Sequence, residues 1–303
     1  MRMKKIVECV PNFSEGRRKE IIEEIIDQVR KRKDVKLLDY SSDPDHNRTD
    51  VTFIGEPQSV KEAALDLAMK CVELIDMNKH KGEHPRMGAI DVVPFIPVYN
   101  VTMEECVKLA HEFAKEFSEK TGVPCFMYEE AATRPDRKNL ADVRRGEFEG
   151  LKEAIGKDPD KVPDYGPNKI HPTAGATAVG ARFFLVAFNV NLGTSDINIA
   201  KKIAKAVRHS SGGYRYVKAM GFEIKERGIV QVSMNLTNYQ KTPIFRVFET
   251  IKNEAERYGV PVIGSEIVGL VPLEALIMVA DHYLRLENFS IDQVLEKRLL
   301  EVE

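Results

Sequence analysis

The chain has 303 residues, 43% of them hydrophobic and 30% charged, with a formal net charge of −2. That balance describes a soluble, well-cored globular protein long enough for two domains, and it offers no broad field for nucleic acid or an anionic membrane. The N-terminus has bases but no apolar segment behind them, and no run approaches the length of a membrane span. Neither a signal peptide nor a transmembrane helix is expected.

The first strand is expected over 4–10, broken by Pro11-Asn12-Phe13. Ser14 can cap a helix to about 33, whose Ile21, Ile22, Ile25, Ile26 and Val29 follow the helical period. Strands follow over 35–40 and 48–54, separated by the polar turn 41–47, and a second helix over 59–76 precedes a strand over 91–98. The order is β-α-β-β-α-β. Thr102 and Glu105 form a capping box for a third helix to about 120, and 124–128 adds a strand. The stretch 134–161 is charged and irregular, with a helix around 147–155, and the Pro- and Gly-rich 163–175 reads as a linker.

The order then repeats. A strand over 183–191 leads to a helix capped by Ser195 and running to Arg208. Strands over 214–225 and 229–236 come before a helix opened by Thr242-Pro243 and ending near Tyr258; a strand over 260–267 and a terminal helix opened by Pro272 complete the chain. The expected fold is α/β (α+β): two ferredoxin-like βαββαβ subdomains, 1–178 and 179–303, with a ligand cleft between them.

Chemistry concentrates in Lys79-His80-Lys81-Gly82-Glu83-His84-Pro85-Arg86-Met87-Gly88-Ala89-Ile90-Asp91, a loop feeding a strand. His80 to His84 satisfies an H-x-x-E-H zinc-peptidase spacing, which requires both rings on one helical face. Gly82 and Pro85 oppose a helix there, so no metal is expected, although a zinc hydrolase stays among the alternatives. His84 is better read as a metal-free general base, and Arg86 as a forked anchor for a carboxylate. Asn12, at the end of the first strand, and Arg48, in another strand-end loop, are further candidates. The small residues Gly175-Ala176-Thr177-Ala178-Val179-Gly180-Ala181 permit close approach of a flat ligand. Cys9, Cys71, Cys106 and Cys125 are widely spaced and read as buried, reduced thiols.

These segments together resemble the formiminotransferase family. The strings Ile6-Val7-Glu8-Cys9-Val10-Pro11-Asn12-Phe13-Ser14-Glu15-Gly16, Asn47-Arg48-Thr49, Lys81-Gly82-Glu83-His84-Pro85-Arg86-Met87-Gly88, Pro94-Phe95-Ile96-Pro97-Val98, Gly180-Ala181-Arg182 and Val268-Gly269-Leu270-Val271-Pro272-Leu273 carry the likeness in order along nearly the whole chain. The resemblance implies transfer of a formimino group from 5-formimidoyltetrahydrofolate to L-glutamate in histidine breakdown, with tetrahydrofolate as a carrier substrate and no metal. It implies that His84 is catalytic. It also implies that Gly166, Pro167, Asn168, Lys169, Ile170, His171, Pro172, Thr173, Ala174 and Gly175 contact folate, with Arg86, Arg48, Asn12 and Asp39 as candidate substrate ligands. A cytoplasmic homodimer is implied, with cyclodeaminase activity on a separate protein. Mammalian members carry an acid where Ser41 stands and an aromatic residue where Ala174 stands, the latter implying a different stack against the pterin. A formyl-folate donor acting on the same acceptor, and a non-catalytic folate binder, remain open alternatives.

Overall fold

A computed structural model describes residues 5–302 and divides into two compact units at Arg182/Phe183. In the first unit, β1 (Ile6–Cys9) and its short continuation β2 (Asn12–Phe13) lead to α1 (Lys19–Arg30), β3 (Val35–Asp43), β4 (Arg48–Gly55), α2 (Pro57–Leu74) and β5 (Ile90–Tyr99). The strand order β3-β4-β1-β5, antiparallel throughout, is that of a ferredoxin-like unit, because β4 inserts between the two strands that α1 connects. Position 4, where the sequence reading began its first strand, lies outside the described residues.

The period-2 alternation of the strands separates two faces. Val7, Cys9, Val51, Phe53, Val93 and Phe95 point toward the helices, where Ile22, Ile25 and Ile26 of α1 and Leu67, Ala68 and Cys71 of α2 close a dry core. The residues between them, Glu8, Asp50, Thr52 and Val92, belong to the opposite face. All four cysteines are fully buried and none is in a disulfide.

Three expectations change. Ser14 is not a helix cap: its amide donates to the Ala89 carbonyl at 2.8 Å and its hydroxyl to the Gly88 carbonyl at 2.8 Å. The Glu15 carboxylate accepts from the amides of Arg17 and Arg18 at 2.9 and 3.0 Å, just ahead of α1, which begins at Lys19 with Arg18 as an N-cap that makes no side-chain capping bond. The stretch 163–175 is not a linker. The Cys125 amide donates to the Tyr165 carbonyl, and Gly175 bridges both Gly88 and His171, so the segment is folded into the first unit. The small residues behind it form β7 (Thr177–Ala181), a fully buried strand that lies parallel to β5 and to β6 (Cys125–Glu129). Their size lets β7 fit between two strands covered on both faces, with Gly180 against the Tyr128 ring.

The capping-box helix is present as α3 (Met103–Thr121) and crosses from β5 to β6. Two short helices, α4 (Leu140–Val143) and α5 (Glu147–Ala154), bring Val143, Phe148 and Leu151 into the interior; Val143 and Leu151 join Met87, Val92, Phe126 and Tyr128 in a second apolar cluster.

The Gly88 backbone is pressed against the chain at Ala174–Ala176. A Cβ at Gly88 would stand 2.3 Å from the Ala176 carbonyl oxygen and 2.5 Å from that of Ala174. Gly88→Ala is therefore expected to destabilise the protein by about 1–3 kcal/mol, as overpacking does when only backbone can yield. Urea unfolding measures this, and an unchanged midpoint would count against the packing described.

The second unit runs β8 (Val186–Leu192), α6 (Ile197–Val207), β9 (Val217–Ile224), β10 (Ile229–Leu236), α7 (Ile244–Arg257) and β11 (Val262–Val268). Its sheet order, β11-β8-β10-β9, repeats the ferredoxin-like arrangement, with Phe188, Val190, Ile203, Val247 and Ile251 in the core. Asp196, not Ser195, caps α6, accepting from the Asn198 amide at 2.9 Å. The chain continues into α8 (Leu273–Leu284) and α9 (Leu295–Val302). No helix among the described residues is long and apolar enough to cross a membrane.

Candidate active site

The β3–β4 turn builds the floor of the site. Asn47 holds a left-handed conformation (φ 49°), which asparagine tolerates better than most residues. From there its side chain accepts from the Gly16 amide at 2.9 Å and donates to the Lys81 carbonyl at 3.0 Å. Gly82 lies directly on this turn, where a Cβ would stand 2.2 Å from the His46 carbonyl oxygen. That close approach places His84 beside Arg48, the first residue of β4.

Five side chains converge. Asp91, on β5 and fully buried, accepts from the Met87 amide through Oδ1 at 2.8 Å, which fixes the loop behind His84. Its Oδ2 receives Arg48 Nη1 at 2.7 Å and also Arg144 Nη2. Arg48 Nε donates to Asn12 Oδ1 at 2.9 Å. His84 Nδ1 lies 2.7 Å from the Pro85 carbonyl and 3.0 Å from Arg48 Nη1. A carbonyl only accepts and a guanidinium only donates, so one nitrogen cannot bond both. Arg48 Nη1 already has the Asp91 carboxylate. We assign the proton to Nδ1, donated to Pro85, which leaves Nε2 with its lone pair.

Burial, with the charges of Arg48 and Arg144 beside it, depresses the His84 imidazolium from 6.5 to about 4, against weaker support from Pro85 and Asp91. Arg48 and Arg144 hold the Asp91 carboxyl below its ordinary range in spite of complete burial. His84 is therefore neutral at pH 7. Because its folded value lies below the unfolded one, the unfolded chain takes the extra proton first. The His84 contribution to stability is intact above 6.5 and is lost as pH falls from 6.5 toward about 4. An NMR titration of His84 in the free protein is expected to give a midpoint near 4, and a midpoint at 6.5 would contradict this electrostatic picture.

His80 and His84 do not form the metal pair that their spacing invites. Neither lies in a helix, and His80 spends both ring nitrogens on the protein: Nε2 donates to the Asn47 carbonyl at 2.8 Å and Nδ1 accepts from Arg86 Nε at 3.3 Å. Arg86 is likewise not the open anchor expected. Nη1 and Nη2 bond Glu147 and Glu149 at 2.6–2.9 Å, and the residue is buried. Asp39 lies on β3 opposite Thr52, and Ser41 lies opposite Asp50, so an acid stands across the ladder from the position that departs from the family pattern. Sequence reasoning missed Asp91 and Arg144. The signal for Asp91 was an acid opening an otherwise apolar strand; nothing marked Arg144 among the charged residues around it.

Models of the formiminotransferase domain match this chain along nearly its whole length, the N-terminal subdomain over 6–182 and the remaining domain over 187–302. The chain belongs to the formiminotransferase family. It is 54% identical over 299 residues to the glutamate formimidoyltransferase of Streptococcus pyogenes serotype M1, covering 98% of this chain and 100% of that relative. It is 49% identical to the glutamate formimidoyltransferase of Thermoplasma acidophilum, covering 97% of each chain. It is also 49% identical to the formimidoyltransferase-cyclodeaminase of Dictyostelium discoideum, covering 98% of this chain and 56% of that longer relative.

The segment that formiminotransferases lead one to expect at folate is anchored to the loop carrying His84. The Ala89 amide donates to the Ala174 carbonyl at 2.8 Å, and the Met77 amide to the Thr173 carbonyl at 2.8 Å. His171 Nδ1 accepts from the Ala174 amide at 3.0 Å. Gly166, Asn168, Lys169 and Pro172 are exposed; Pro167, Ile170, His171 and Thr173 are partly so. Ala174, only 1% exposed, packs in the core, so its side chain has no face for a pterin. Gly175 is buried with it.

Proposed function

We infer that this chain transfers the formimino group between 5-formimidoyltetrahydrofolate and L-glutamate, with tetrahydrofolate as carrier substrate. Near-full-length identity to two glutamate formimidoyltransferases carries the reading. The neutral imidazole of His84, with Nε2 unprotonated, supports its chemistry.

The glutamate amine is mostly protonated at neutral pH and must lose a proton to attack the amidine carbon. His84 Nε2 takes that proton as the new carbon–nitrogen bond forms. The same proton then passes to the folate N5 as the bond from N5 to the formimino carbon breaks, which returns His84 to its starting state. Proton transfer of this kind contributes about 10²- to 10⁴-fold, and holding both substrates in one site adds the proximity contribution. The step uses no metal. Asn12 holds Arg48 in place at 2.9 Å and acts by orientation. The exposed Gly166, Asn168, Lys169 and Pro172 and the partly exposed Pro167, Ile170, His171 and Thr173 form the folate-contacting surface, and Ala174 and Gly175 support it through backbone. Asp39 remains a substrate-binding candidate on the open sheet face.

A homodimer accompanies this reading. Its support is α8, an apolar helix on which only Ala275 is buried while Leu273, Leu276, Tyr283 and Leu284 are exposed. Four buried cysteines without a disulfide support a cytoplasmic setting. Incubating purified protein with 5-formimidoyltetrahydrofolate and glutamate tests the function: glutamate-dependent release of tetrahydrofolate is expected, and release independent of glutamate counts against it.

A further inference from the structure

We propose that Arg144, together with Arg48, forms the seat for a carboxylate of the amino-acid acceptor, directly beside His84. The inference rests on the acceptor reading above and adds residues to it.

The two arginines at Asp91 share one buried carboxylate, and the other acid acting on Arg48 is Asp50. Two guanidiniums, Arg48 and Arg144, converge on the single oxygen Oδ2, while Oδ1 is occupied by the Met87 amide. The carboxylate therefore cannot turn to match the arginines separately. The side chains of Arg48 and Arg144 are only 14% and 13% exposed, so water compensates their charge poorly. Arg144 bonds through Nη2 alone, and its Nε is buried without an acceptor. A second carboxylate would supply further negative charge beside the two arginines, and guanidinium is the group best shaped to receive it. The arginine of the loop, Arg86, is already saturated by Glu147 and Glu149. The acceptor's amine must reach His84, and its carboxylate must sit within a few bonds of that amine. Arg48 Nη1 stands 3.0 Å from Nδ1 of the same ring whose Nε2 is to take the proton.

A consequence for His84 follows. The groups facing its ring are Arg48 from β4, Asp91 from β5, Arg144 at the end of α4, and His46 with its partner Asp43 from the β3–β4 turn. In the free protein the two guanidiniums lie nearest the imidazole together with one buried carboxylate, Asp91, while Asp43 stands at His46 and Asp50 faces Arg48. A seated acceptor carboxylate adds negative charge beside the ring, so His84 becomes a better proton acceptor when there is an acceptor to deprotonate.

Steady-state kinetics of Arg144→Gln test the seat. The KM for glutamate is expected to rise about ten- to a hundred-fold, the value of one charged hydrogen-bonding partner, while that for the folate donor stays unchanged. Arg144→Lys, which keeps the charge but loses the fork, recovers part of the affinity and remains informative if the Gln variant is unstable. A glutamate KM unchanged in both variants, or an equal rise for both substrates, overturns the proposal. NMR provides a second reading without turnover: glutamate raises the His84 titration midpoint in the wild type and not in Arg144→Gln. An equal shift in both proteins overturns the seat, whereas wild-type protein that transfers nothing to glutamate overturns the acceptor reading itself.

Discussion

Replacing His84 with alanine is expected to lower turnover by about 10²- to 10⁴-fold, the usual worth of a positioned proton-transfer group. The loss should fall on kcat, with affinity for the folate donor nearly unchanged, because the exposed and half-exposed residues of 166–175 do not depend on the imidazole. Stability should hardly change, since His84 is only partly buried and its ring bonds the carbonyl of the adjacent Pro85. Steady-state kinetics with a folding check separate these outcomes. Turnover within a few-fold of wild type would remove His84 from the mechanism.

The second large effect is expected at Asp91. Changing it to asparagine leaves Arg48 and Arg144 buried with no anion between them, and breaking a buried pair in this way costs about 3–5 kcal/mol. The amide can still accept one hydrogen bond, so the geometry survives in part, but both guanidiniums lose their charge partner. Urea unfolding should show the loss at neutral pH, and activity should fall as well, because the surplus charge would hold the His84 imidazole further from protonation. Stability equal to wild type would show that Asp91 is not the centre of this cluster.

Much of the fold could be read from the sequence because local chemistry and tertiary packing agree. The isoleucines of α1 repeat at the helical period and all but Ile21 are buried, and Thr102 with Glu105 forms the capping box expected. Readings failed where a distant partner decided the outcome. Ser14 looks like a cap until Gly88 and Ala89, far along the chain, claim its hydroxyl and amide. The Pro- and Gly-rich 163–175 looks like a linker because its composition does not disclose that Cys125 and Gly88 pair with it.

The site followed the same rule. Gly82 and Pro85 opposed a helical zinc geometry, and neither His80 nor His84 lies in a helix. Arg86 appeared to be a free anchor because its two glutamates come from α5, a helix that no local pattern connects to it. Arg144 was invisible for the converse reason. Among several charged neighbours, only the fold shows which one reaches a buried aspartate.

The central claim is that this chain moves a formimino group to or from the glutamate amine. The most direct measurement supplies purified protein with glutamate and, separately, 5-formimidoyl-, 5-formyl- and 10-formyltetrahydrofolate, and identifies the glutamate product by mass. N-formimidoyl-L-glutamate and stoichiometric tetrahydrofolate are expected from the first donor. N-formylglutamate as the main product, or folate release that ignores glutamate, would contradict it.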